Sequence, residues 1–99
     1  MKVEFTDPAE ESLRKIYCRY PENVAEKIIE NILQRAETLS SFSSRGRIVE
    51  ELRFLDQGHR FILEGSYKII YVQEADMVYV TDVFNMSQDP EKIREKHHK

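Results

Sequence analysis

Lys68 is the one charged residue in the apolar run Tyr67-Lys68-Ile69-Ile70-Tyr71, and Arg45, Arg47, Arg53 and Arg60 join it in the middle third of the chain. Cations gathered in this way could line an anionic groove. Lys68 would then act on a phosphate as a point charge, because an ammonium cannot grip two oxygens as a planar guanidinium does. The tyrosines Tyr67, Tyr71 and Tyr79 carry phenols that can donate a proton, although a strand tyrosine more often serves the core or the sheet surface. Plainer readings stand beside these: a solvent-facing strand lysine and solvated surface arginines. His59 lies next to Gly58 in a turn and reads as a loop histidine. His97 and His98, near the end of the sequence, read as a frayed end, since no second ligand set accompanies them. No metal and no cofactor is expected. Cys18 is the only cysteine, so no internal disulfide can form, and it reads as a small helix residue.

The elements that must position these groups follow from periodicity. Val3 and Phe5 alternate with Lys2 and Glu4, as in a strand with one buried face. Asp7 is placed to cap a helix, with Pro8 at its first position and Glu10 completing an Asp-x-x-Glu capping box. Ala9, Leu13, Ile16 and Tyr20 recur at helical spacing and form one stripe. Pro21 ends that helix and opens a longer one carrying Ala25, Ile28, Ile29, Ile32, Leu33, Ala36 and Leu39 on one face. Four serines around Phe42, followed by Gly46, form a loop. Residues 47–55 read as irregular chain packed by Ile48, Leu52 and Leu55. Arg60 to Glu64 reads as a strand, Gly65-Ser66 as a two-residue hairpin connection, and Tyr67 to Gln73 as its partner. Glu74-Ala75-Asp76 turns the chain into the β-branched and aromatic run Met77 to Phe84, and Pro90 opens a short last helix from Glu91 to Lys96. The expected fold class is α+β: an N-terminal strand, a helical hairpin, a three-stranded antiparallel meander and a short C-terminal helix, in two layers.

With 99 residues, of which 40% are hydrophobic and 33% charged, the chain fits one domain spanning residues 1–99. No apolar run approaches the roughly 20 residues that span a bilayer, and the acidic Glu4 interrupts the N-terminus where a secretory signal would be apolar. The chain is expected in the cytoplasm. A net charge of −3 argues against indiscriminate binding to nucleic acid, while leaving local basic patches open.

Three segments resemble the RelE/ParE superfamily of toxins from type II toxin–antitoxin, or plasmid stabilisation, systems. Gly46-Arg47 followed by Glu51-Leu52-Arg53 resembles the Gly-Arg and Glu-Leu-Arg of ParE-like members. Gly65-Ser66-Tyr67-Lys68-Ile69-Ile70-Tyr71 is similar to the family's Gly-x-Tyr-Arg-(apolar)-(apolar)-Tyr. Val83-Phe84 with Gln88-Asp89-Pro90 is similar to an ending that often reads Val-Phe-His-x-Arg-Gln-Asp-Pro. The resemblance covers nearly the whole chain and implies the RelE/ParE-like fold, together with a cognate antitoxin that wraps the helical hairpin and the sheet edge.

The superfamily divides into RelE-like members, which cut messenger RNA on the ribosome, and ParE-like members, which poison DNA gyrase. Cutting RNA through its 2′-hydroxyl needs a base, a cation for the charged phosphorane and an acid for the leaving oxygen. Lys68 stands where the ribonuclease branch has its strand arginine, and Arg60 and Tyr71 complete the trio that a metal-independent endoribonuclease would use. Asn85 and Ser87, however, replace the basic groups at the end of the last strand, a loss worth roughly 10²–10⁴ in rate. The leading expectation is therefore a ParE-like growth inhibitor that binds an essential target, with Arg45, Arg47, Arg53, Asn85 and Gln88 as binding residues. A ribosome-dependent endoribonuclease and an inactive toxin-fold binding module are the alternatives.

Overall fold

The computed structural model describes residues 1–97, and the expectation for His98 lies outside them. Strand β1 (Lys2–Phe5) leads into helices α1 (Asp7–Arg19) and α2 (Glu22–Glu37), and two short 3-10 turns carry the chain to β2 (Arg47–Ile48). A 3-10 segment, Glu50–Leu55, precedes β3 (Arg60–Glu64), β4 (Tyr67–Glu74), β5 (Met77–Asn85) and α3 (Glu91–His97). The expected meander β3-β4-β5 is present inside a five-stranded mixed sheet of order β1-β5-β4-β3-β2. β1 lies parallel to β5, with Lys2 opposite Met77 and Phe5 opposite Val80, and two-residue β2 pairs with Arg60 and Phe61 of β3. No helix among the described residues is long and apolar enough to cross a membrane.

Several local expectations need correction. The α1 cap is Thr6, not Asp7: the Thr6 hydroxyl accepts the Ala9 amide while donating to the Val80 carbonyl, and Asp7 becomes the first helical residue. A threonine that ties the helix start to β5 outcompetes an aspartate that could serve only the cap. Residues 47–55 are ordered as β2 and the 3-10 segment, with Val49 and Leu52 fully inside. Leu33, given to the buried stripe of α2, is 44% exposed.

The sheet is covered on both faces, which goes beyond the expected two layers. Towards α1 and α2, Ala9, Ile16, Ile32 and Ala36 pack on Ile62, Tyr67, Ile69, Tyr71, Val78, Val80 and Val83. On the reverse face Val49 and Leu52, from the connection and the 3-10 segment, and Ile93 of α3 enclose Ile70 and Phe84. Between Ile70 and Tyr71 the β4–β5 register shifts, so that Ile70 opposes Asp82 while Tyr71 opposes Val80. The extra residue, Thr81, reverses the alternation of β5 and lets Val80 and Val83 face the same helices.

The histidines are built into this second face. His59 lies, as expected, in the loop before β3, but it is buried there: its ring meets His97 edge to face at 5.3 Å, and its Nδ1 has no hydrogen-bond partner among the described residues. His97 is likewise held, with Nε2 2.8 Å from the Thr81 hydroxyl and Nδ1 2.8 Å from the Ile93 carbonyl. Burial, aided by His97, pushes the His59 pKa down to about 4. The unfolded chain takes up a proton near pH 6.5 and the folded chain does so only near 4, so stability falls as pH drops through that window. Between pH 7 and 5 the loss should be roughly 1–2 kcal/mol, seen by urea denaturation, and His59→Gln should remove most of that slope.

Candidate functional site

The trio Lys68, Arg60 and Tyr71 is divided between the two faces of the sheet. Lys68 lies opposite Phe84 on the reverse face, with its ammonium 4.5 Å from the centre of the Phe61 ring. Tyr71 lies opposite Arg60 on the helix-facing side. Three residues along one strand place Lys68 and Tyr71 on opposite surfaces, because strand side chains alternate.

Tyr71 and Arg60 are also chemically occupied. The buried Tyr71 hydroxyl donates to the Ser43 carbonyl and accepts the Gly46 amide at 3.0 Å, and Arg60 donates to the Gly46 carbonyl at 2.7 Å. Burial pushes the Tyr71 phenol above its ordinary range, against the opposing pull of the Gly46 amide, Arg60 and Arg45. Its proton is committed to the loop. Gly46 belongs to this contact for a steric reason: a Cβ there would run into the Tyr71 hydroxyl and lie 2.9 Å from the Phe61 carbonyl. The Gly46-Arg47 motif thus reports a close backbone approach.

The expected binding residues fall into two hollows and one isolated position. Arg45 and Arg47 join Arg35 around a groove of about 320 Å³ beside Phe61, Ile62 and Leu63. Arg35 Nε donates to the Leu63 carbonyl at 3.2 Å and Arg45 donates to the Thr38 hydroxyl at 2.7 Å. Arg53 is elsewhere, in an exposed ion pair with Glu50, the kind that contributes little to stability. Asn85 and Gln88 line a cleft of about 300 Å³ between α1 and α3 at the end of β5.

That cleft holds cations not singled out in the sequence. Lys15 and Arg19 of α1 stand on one side, and Lys92 and Lys96 of α3 on the other, with Glu95 the one carboxylate among the lining residues. At one end Lys96 Nζ sits 2.7 Å from Oδ1 of the fully buried Asp82 and donates to the Ser12 hydroxyl at 3.3 Å. Asn85 Oδ1 accepts the Ser87 amide and hydroxyl, which leaves the Asn85 Nδ2 without a hydrogen-bond partner among the described residues. Tyr67 borders the cleft, and burial with the nearby Tyr20 hydroxyl pushes its phenol up to about 12. Lone Asp82 within Val80-Thr81-Asp82-Val83-Phe84 and the four-residue spacing of Lys15 and Arg19 were the available sequence signals.

Comparison with protein families matches residues 3–90 to the family described as the ParE toxin of type II toxin–antitoxin systems, parDE. Among solved structures, the chain is similar to one from the chromosomal ParDE toxin–antitoxin system of P. aeruginosa, with a TM-score of 0.70 and 15% identity. The match covers 86% of this chain and 95% of the other, a likeness of fold. Comparison with curated proteins gives no match.

The Tyr71 tether makes a direct prediction. Gly46→Ala should destabilise the fold by roughly 1–3 kcal/mol through overpacking against Tyr71 and the β3 backbone. Tyr71→Phe should cost about 1–3 kcal/mol by stranding the Gly46 amide and Ser43 carbonyl. Both losses are measurable as shifted urea midpoints.

Proposed function

Because the chain belongs to the ParE toxin family of type II toxin–antitoxin systems, we propose that it is the toxin half of such a pair, a single toxin domain that arrests growth from the cytoplasm by binding an essential target. DNA gyrase is the target this reading selects, and a cognate antitoxin neutralises the toxin. The observation that carries binding rather than cutting is the separation of Lys68 from Tyr71 across the sheet, together with the commitment of the Tyr71 proton to Ser43. A leaving oxygen would find no free phenol at Tyr71, and Lys68 is stacked on Phe61.

An antitoxin requires apolar surface to cover, and the helical hairpin and sheet edge offer it. Val24 and Leu33 are 41% and 44% exposed on α2, and Leu63 is 48% exposed on β3 beyond the point where β2 ends. Arg35, Arg45 and Arg47 flank that edge and would receive carboxylates of the partner.

Controlled expression of the chain alone in a bacterium, with growth, transcript integrity and plasmid supercoiling followed in the same culture, tests the reading. Arrest with altered supercoiling and intact transcripts is expected, with growth restored by co-expression of the cognate antitoxin. Transcript cleavage abolished by Lys68→Ala would transfer the function to a ribosome-dependent endoribonuclease. Unimpaired growth would leave a binding module.

A further inference from the structure

The cleft between α1 and α3 is closed at one end, where Lys96 reaches from α3 to Asp82 at 2.7 Å and to Ser12 of α1 at 3.3 Å. Its floor is apolar. Ile16 of α1, Val83 of β5 and the ring of Tyr67 line it, and none of the three is more than 5% exposed. Asp82, Val83 and Phe84 are all buried, so the cleft presents side chains to a ligand and no backbone edge.

The walls are cationic. Lys15 and Arg19 share one surface of α1 through their i,i+4 spacing, and Lys92 stands on the α3 side. Lys96 is balanced by Asp82, while Lys15, Arg19 and Lys92 have no carboxylate within ion-pair distance among the described residues. Glu95 is the one carboxylate among the lining residues, which leaves the cleft positive in a chain of net charge −3. Helix energetics do not account for that charge. Arg19 suits the last turn of α1, but Lys92 lies in the first turn of α3, where the helix dipole disfavours a cation. Asn85 adds a neutral donor, since Ser87 occupies its Oδ1 and its Nδ2 has no hydrogen-bond partner among the described residues.

We infer that this cleft binds a small phosphate monoester carried on a compact ring, of the size of a nucleoside monophosphate. Phosphoryl oxygens accept several hydrogen bonds at once, so the Arg19 guanidinium can grip two while the lysines and the Asn85 amide take others. A monoester carries about −1.5 to −2 at pH 7, enough to neutralise three free cations set against one carboxylate. The ring would lie on the floor of Ile16, Val83 and Tyr67. A volume of about 300 Å³ stands at the small end of ligand pockets, room for one nucleotide or sugar phosphate. A nucleic-acid strand, by contrast, needs a groove open at both ends, and the Lys96 bridge closes one. The inference stands whatever the growth target, since it rests on the cleft and its walls.

The test titrates the full chain, isotope-labelled, with adenosine monophosphate, ribose 5-phosphate and adenosine. Saturable binding of both phosphates is expected, with amide shifts gathered at Lys15, Arg19, Asn85 and Lys92. Adenosine monophosphate should bind the tighter of the two, because its base reaches the apolar floor, and adenosine should not saturate. Lys15→Ala/Lys92→Ala, altered only at exposed positions, should bind adenosine monophosphate at least about tenfold more weakly, through the loss of two hydrogen bonds to a charged group. Lys15→Arg/Lys92→Arg should keep most of the affinity, and Arg14→Ala, on α1 but outside the cleft, should keep all of it. Lack of saturation, shifts centred elsewhere, equal affinity for adenosine, or affinity unchanged by the alanine pair would overturn the inference. So would tighter binding of a 5′-phosphorylated tetranucleotide, which would give the cleft to nucleic acid.

Discussion

The β4–β5 ladder is the constraint on which the rest of the structure depends. It runs from Tyr67 opposite Asn85 to Glu74 opposite Met77, and both of its faces are buried. A ladder covered on two sides must supply apolar side chains to each, and its one irregularity sets which residues go where. The extra residue at Thr81 keeps Val80 and Val83 under the helices and leaves Phe84 with Ile70 on the reverse face. Had the alternation run unbroken, one of the two valines would face the wrong core.

From that ladder the loop after α2 acquires its position. Tyr71 projects from the centre of β4 and holds Ser43 and Gly46, while Arg60 beside it holds the Gly46 carbonyl. Side chains whose types suit acid and charge chemistry are spent here on satisfying backbone groups that burial would otherwise strand. The same residues could not serve both ends, because a phenol has one proton to give. Tyr71 therefore anchors the loop to the sheet.

Charge follows the same division of labour. Exposed pairs such as Arg14 with Glu11 and Arg53 with Glu50 balance locally on their own segments. Unbalanced cations gather instead at the two strand edges: Arg35, Arg45 and Arg47 beside β3, and Lys15, Arg19 and Lys92 beside β5. Of the two, the β3 edge is the accessible one, where Leu63 is exposed, whereas Asp82, Val83 and Phe84 of β5 are buried.

Much of the architecture was legible in the sequence, because hydrophobic period reports which face of an element is buried. The helical stripe of Ala9 and Ile16, the break at Pro21, the hairpin at Gly65-Ser66 and the opening of α3 after Pro90 all follow from local rules of spacing and backbone geometry. The family motifs were legible too, Gly46-Arg47 among them. The sequence could not say that Thr6 would cap α1, since the choice depended on the Val80 carbonyl 74 residues away. Strand alternation alone puts Lys68 and Tyr71 on opposite faces, but the sequence could not name the partners each would meet, join Lys15 to Lys92 across a cleft, or bury His59 against His97. Near neighbours along the chain were enough to show the main helices and strands and the family resemblance, though not β2, which forms only by pairing with β3. The tertiary structure alone decided which charged and aromatic groups meet, because the pairing of β1 with β5 and the register shift at Tyr71 are long-range contacts that no local pattern encodes.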